Sequence, residues 1–456
     1  MLVDSKKILG LRDVALLTFV SNFGVRWFAV AAGVGFSSVS YWIIGALMLG
    51  IPFAFIAAEL SRLYPEEGGI YAWTRNTLGE KNGFIVAWLY FVNNIFYYPA
   101  ILIFLATNFS YFIGKPALAN NSIFICVVVL VAFWLVVLMS LFGLKKNKIL
   151  TEYGGVAGSI VPALLIIVLG IGFLIWRKHS ATPFHWNALL PNLNVAHSLS
   201  NLTMLMFAIT GVEIIPTFAN AVKNPKRDLY IGLLVGAFAL IIFYILGTIA
   251  LNILLSPSEI HNTSGLIDAF QLAFLKLHMP WMTRGVAFLL VFAELAVVSI
   301  WLIAPITMFF KCTPEGLLPP WFHRTNKSGA PTNAILFVGL LVTVILLATN
   351  LLPAVNDMYQ VLVLMSVVLV FIPYLFLMVV YVKNLHRISG NQYLHGVFVL
   401  VVTLSLLMGI IFSFALPSDI KTQHAKIIYE LELFFGPLFF ILMGYAIYFF
   451  RKHKFK

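Results

Sequence analysis

The sequence predicts an all-α integral membrane protein of twelve transmembrane helices, and three observations carry that fold class. Hydrophobic residues fill 61% of 456 positions and charged residues only 10%, against roughly 25% charged in soluble domains. Apolar runs of about 20 residues recur along the chain, the length one helix needs to cross a bilayer core, and lipid admits only helices or closed barrels. Runs this long exclude the barrel. Third, the cations fall in short loops and alternate between the two sides of the membrane, as an even number of spans with both ends on one side requires.

Bounded by charge, Pro and Gly, the spans fall near 13–35, 40–62, 83–113, 122–142, 153–176 and 198–221, then near 229–255, 283–311, 332–350, 358–382, 393–415 and 432–450. The first follows Lys6 and Lys7 directly, without the small-residue cleavage site of a secretory signal, so it is expected to insert by itself. It is also the least apolar. The second ends at Arg62, and the third opens after Lys81 and carries an aromatic cluster from Trp88 to Tyr98. Lys145, Lys146 and Lys148 separate the fourth from the fifth, which stops at Arg177 and Lys178. The sixth ends before Lys223, and the seventh opens after Arg227. The eighth stops at Lys311, the tenth at Lys383 and the twelfth at Arg451. No stretch outside the spans is longer than a loop, so the chain reads as one transmembrane domain, 1–456, working inside the membrane.

The formal charge is +12, from 29 Lys and Arg against 17 Asp and Glu. In a soluble chain this would raise nucleic acid as a partner; here 21 of the cations lie on one side and 7, from Lys115 to Lys426, on the other. That is the positive-inside pattern, with both termini cytoplasmic in a plasma or bacterial inner membrane. Nucleic acid is not an expected partner. Cys126 and Cys312 have no metal or redox spacing, so no cofactor is expected.

Ionisable groups at bilayer depth cost about 2.5–3.5 kcal/mol on insertion scales and are functional candidates by default. Arg26, Glu213, Glu294 and, at the end of its span, Glu59 are the four here. Arg26 lies in the run Ser21, Asn22, Phe23, Gly24, Val25, Arg26, Trp27, which interrupts the first span. Phe207, Ile209, Thr210, Gly211, Glu213 and Pro216 interrupt the sixth. Five spans separate the two breaks, and an odd number of helices per repeat inverts one half relative to the other, the plan of many secondary transporters. The breaks would then meet at the midplane, with freed N–H groups for a carboxylate and freed carbonyls for an ammonium. Arg26 alternatively forms a structural ion pair with Glu213 or Glu294. Burial and a nearby cation act oppositely on a carboxylate, which makes Glu213 and Glu294 proton-sensing candidates. Phe23, Trp27, Tyr97, Phe207 and Trp301 are the aromatic gate candidates.

Three segments resemble the amino acid-polyamine-organocation transporter superfamily, most closely its glutamate:GABA antiporter-like branch. They are Ala58 to Gly79, with its Glu66, Glu67, Gly68, Gly69 run; Gly211, Val212, Glu213 followed by Lys223, Asn224, Pro225, Arg227, Asp228; and Trp301 to Pro305 followed by Glu315 to Pro319 and Gly329 to Thr332. The resemblance implies a leucine-transporter-type 5+5 inverted repeat, with repeats at about 13–176 and 198–382 and two accessory helices at 393–451. It implies alternating access around a substrate held by Ser21, Asn22, Phe23, Gly24, Val25, Arg26, Phe207, Ile209, Thr210, Gly211, Glu213, Tyr97 and Glu294, gated by Trp27 and Trp301. The expected activity is antiport or uptake of a small or acidic amino acid by a monomer or homodimer, and not an enzymatic reaction.

Three departures refine this expectation. Many relatives carry a Gly-Ser-Gly or Gly-x-Gly break in the first span, but this chain has Asn22 to Arg26 there, and a cation at that place favours a substrate with an extra or exposed carboxylate unless it is neutralised internally. Ser159 stands where proton-coupled relatives often carry a Lys, which favours exchange over proton symport. The residues after 450 are too few for the C-terminal plug of the acid-resistance exchangers. A cationic amino acid or polyamine exchanger is the alternative substrate class. A polytopic enzyme would cluster His, Asp or Ser at one interface, whereas the ten histidines are scattered. A channel lacks a repeated filter motif, and no phosphate-binding Gly-rich loop with Lys-Ser or Lys-Thr occurs. A major-facilitator fold would need a long central loop, but only Val222 to Asp228 follow the sixth span.

Overall fold

The computed structural model describes residues 9–66, 68–141, 155–191, 196–311, 313, 316–326, 330–349, 355–415 and 423–454. Lys6, Lys7, Glu67, the Lys145, Lys146 and Lys148 cluster, Cys312, Glu315, Lys327, Gly329, Lys421 and Lys456 lie outside the described residues.

The described residues form an all-α structure. Helices α1 (Leu11–Asn22) and α2 (Arg26–Ala32) meet at a 54° bend. There follow α3 (Ser37–Leu63), α4 (Ile70–Leu78), α5 (Glu80–Phe112), α6 (Ser122–Leu141), α7 (Gly155–Arg177) and α8 (Ala196–Ala208), which breaks and continues as a 3-10 helix over Val212–Ala221. Then come α9 (Pro225–Leu254), α10 (Gly265–Lys276), α11 (Trp281–Ile306), α12 (Thr332–Thr349), α13 (Val355–Lys383), α14 (Gln392–Ser413) and α15 (Gln423–Lys454). Ten helices among the described residues are long and apolar enough to cross a bilayer, or eleven with the bent pair; the apolar stretch of α12, Thr332–Leu347, is shorter. Helices α4 and α10 occupy segments that hydropathy alone reads as loops, because at 9 and 12 residues they are shorter than the roughly 20 residues a span needs.

Helix α5 is the axis of the bundle. Its 33 residues span about 50 Å, and 94% of its most apolar stretch is buried, against 28% for α14 and 22% for α15, which form the outer wall. It packs on α11 and α13, while α1 and α3 pack on α9. Helix α7 touches both α9 and α11 and so ties the two groups together.

Local chemistry explains both interruptions. In the first, Asn22 turns its amide back to the Thr18 carbonyl (2.8 Å), a bond that competes with helix continuation. Gly24 follows, and a Cβ there would lie 2.7 Å from Arg26 Nη1. In the second, Gly211 has φ +102°, a left-handed conformation that other residues enter at a cost of about 1–2 kcal/mol. Beside it, α3 widens into a π-turn at Ala46–Gly50, whose glycine surface receives the Ile209 side chain.

Candidate functional site

The two interruptions lie against each other. A Cβ on Gly211 would collide with Asn22 Oδ1 and stand 3.2 Å from the Trp301 ring, so the first break, the second break and α11 converge on this glycine. Around the contact is a cavity of about 20 Å³ lined by Ser21, Asn22, Trp27, Tyr90, Asn93, Tyr97, Phe207, Ala208, Thr210, Gly211, Trp301, Val370 and Tyr374. That volume admits about one water and no amino acid; this conformation is closed.

Side chains from distant spans replace the backbone bonds lost in the first break. The Tyr244 hydroxyl accepts from the Gly24 N–H (3.2 Å) and donates to the Asn22 carbonyl (3.0 Å). The Trp301 indole N–H donates to the Ser21 carbonyl (2.7 Å), and the Tyr98 hydroxyl donates to the Trp301 carbonyl (2.8 Å). The bend is therefore held from α9, α11 and α5.

Arg26 is buried just beyond the bend. Its Nη1 donates to Glu294 Oε2 at 3.0 Å, its Nη2 donates to the Tyr97 hydroxyl, and its guanidinium lies 5.1 Å from the Trp27 ring centroid and 5.5 Å from that of Tyr97. Of the two ion pairs open from sequence, the one with Glu294 forms. Arg26 is thus neutralised within the protein, which removes the simplest reason to expect it to attract a second substrate carboxylate.

Glu213 sits behind the cavity wall. Its Oε1 accepts from the hydroxyls of Tyr90 (2.8 Å) and Tyr374 (2.5 Å), both of which line the cavity. Glu213 Oε2, Asn22 Oδ1 and Asn93 Oδ1 are buried without a hydrogen-bond partner among the described residues. All three are acceptors. Buried polar atoms are rarely left unpaired, so the centre of the molecule offers acceptor oxygens to a donor such as an ammonium group.

Of the residues singled out from sequence, Ser21, Asn22, Trp27, Tyr97, Phe207, Thr210, Gly211 and Trp301 meet at the cavity. Phe207 packs edge-on against Tyr97 (5.0 Å) and Trp27 (6.0 Å), and Tyr97 against Trp301 (6.0 Å). Phe23 instead stacks on Phe19 and Tyr244, and Ile209 turns toward Gly45 and Gly50. Gly24, Val25, Arg26, Glu213 and Glu294 lie outside the cavity lining in this closed form. Glu59 pairs with Arg62 one helical turn on (2.7 Å), away from the cavity. Tyr90, Tyr244 and Tyr374 were not singled out from sequence. Their signal is a tyrosine deep in an apolar span, since a buried hydroxyl needs a partner.

Two breaks that face each other around a small cavity suit a carrier, and comparison with known families matches residues 9–440 to the amino acid permeases. The chain belongs to the amino acid permease family. This permease is 31% identical over 98% of its length, and 98% of the relative's, to an uncharacterized transporter of Legionella pneumophila. It is 24% identical to the glutamate/gamma-aminobutyrate antiporter of Lactococcus lactis subsp. cremoris, over 67% of this chain and 61% of that protein. It is also 24% identical to the probable agmatine/putrescine antiporter of Lactococcus lactis subsp. lactis, over 92% and 90%. The permease is thus a secondary transporter of the amino acid-polyamine-organocation superfamily, a multi-pass all-α membrane protein that moves small organic solutes and is not an enzyme.

Proposed function

We propose that this permease exchanges a small amino acid across the bilayer by alternating access, with the substrate between the two breaks. The observation that carries the reading is the contact of Asn22 with Gly211 beside a small cavity edged by unpaired acceptor oxygens. The ammonium sits against Asn22, Asn93 and the Tyr90–Glu213–Tyr374 cluster, and the carboxylate against the backbone of the broken segments. Trp27, Phe207, Tyr97 and Trp301 form the aromatic wall that parts to admit it. Twelve spans, counting the bent pair and α12, an inverted 5+5 repeat with α14 and α15 as accessory helices, and both termini in the cytoplasm complete this reading.

One observation favours a second substrate class. Because Glu294 already neutralises Arg26, the remaining polarity near the cavity is acceptor-rich, which suits an amine or diamine as well as an amino acid. Counterflow separates the two. Proteoliposomes holding purified protein are preloaded in turn with glutamate, gamma-aminobutyrate, alanine, lysine or agmatine, and uptake of each labelled compound is measured. Amino acid exchange is expected to accelerate uptake when an amino acid is preloaded. Acceleration by agmatine alone assigns the second class, and indifference to every preload ends the exchange reading.

A further inference from the structure

We propose that the permease carries an anionic phospholipid in a crevice between α5, α12, α15 and the π-turn Thr307–Lys311 that follows α11, on the far side of α5 from the substrate cavity. The crevice measures about 620 Å³, within the roughly 300–1,000 Å³ of sites that bury whole small ligands. Trp88 and Phe91 of α5 form its floor, Phe337 and Leu341 of α12 one wall, and Phe440 and Ile447 of α15 the other. Every other lining residue is also apolar except Arg451, and the one polar atom of Trp88 is already used, its indole N–H donating to the Phe440 carbonyl at 2.8 Å. Such a wall asks for hydrocarbon.

Charge at one end specifies the rest of the ligand. Arg451 borders the crevice where α15 leaves the bilayer. An apolar slot with a cation at its membrane-surface end matches acyl chains below a phosphate headgroup. A second copy of the chain fits less well, since pairing these surfaces would bring the Arg451 side chains of both copies together. The crevice and the substrate cavity share one helix: Trp88 and Phe91 face the crevice, while Tyr90, Asn93 and Tyr97 on the other side of α5 line the cavity.

The test uses the full chain in phosphatidylcholine vesicles doped with photoactivatable phosphatidylglycerol or photoactivatable phosphatidylcholine, followed by mapping of the labelled peptides. Phosphatidylglycerol is expected to label the segments around Phe337 and Phe440 and to exceed phosphatidylcholine there. Arg451→Gln is expected to lower that labelling about fivefold, as the loss of one interfacial cation implies, and Ala446→Phe to block it by filling the slot. Arg451→Gln changes only a residue at the membrane surface, so it decides the matter even where Ala446→Phe does not fold. Equal labelling by the two lipids, or labelling unaltered in Arg451→Gln, overturns the proposal. So does a Phe450→Cys variant that cross-links one copy to another in place of lipid labelling.

Discussion

At the scale of single residues, the buried pair Arg26–Glu294 dominates the electrostatics around the bend. Both side chains are about 2% exposed, and removing one partner from such a pair leaves an uncompensated charge at a cost of about 3–5 kcal/mol. Glu294→Ala is therefore expected to destabilise the permease by that amount in denaturant unfolding in detergent. Arg26→Met with Glu294→Leu, which removes both charges and preserves bulk, is expected to unfold close to the wild type. A Glu294→Ala variant as stable as the wild type would mean that the two groups are not coupled. Both ionisable residues were visible in the sequence as charges inside apolar runs. Their pairing was not, because 268 residues separate the partners and Glu213 was an equally eligible acid until Tyr90 and Tyr374 were seen to occupy it.

At the scale of elements, the instructive case is the broken first span. Asn22 and Gly24 announce a break, but a break leaves backbone groups that lipid cannot satisfy. Tyr244 of α9 resolves this by bonding both sides of the bend. Tyr244→Phe keeps the ring stacked on Phe23 and Trp42 and removes only the hydroxyl. It is expected to cost about 1–3 kcal/mol, the penalty for leaving buried backbone groups unpaired, and to speed amide exchange around Gly24 while α13 and α14 exchange as before. Unchanged exchange at the bend would show that its geometry does not depend on this hydroxyl. The sequence marks where the helix breaks, within a residue or two, since Asn and Gly act locally. The helix that repairs the break is set by packing between spans, which no local pattern records.

At the scale of the whole molecule, a cavity of about 20 Å³ at the meeting of the breaks has a direct consequence. Under the proposed alternating access, this closed form opens to one face and then the other. In a background with Cys126 and Cys312 replaced by Ala, Ala208→Cys is expected to be slow toward membrane-impermeant maleimide at rest and to change its labelling rate when a transported solute is added. No labelling from either side, with or without solute, would argue against access to this cavity. Hydropathy, charge alternation and the positions of Gly, Pro and Asn by themselves determined that the chain lives in a membrane, where its long apolar helices run, and that the first and sixth spans are interrupted; these follow from the cost of exposing polar backbone or charge to lipid, which each segment meets on its own. The tertiary structure alone decided that Asn22 meets Gly211, that Arg26 pairs with Glu294 and not with Glu213, and that tyrosines 123 and 161 residues away hold Glu213. Those outcomes depend on how helices remote in sequence pack, and the energy of a contact belongs to the pair of surfaces, not to either strip of sequence.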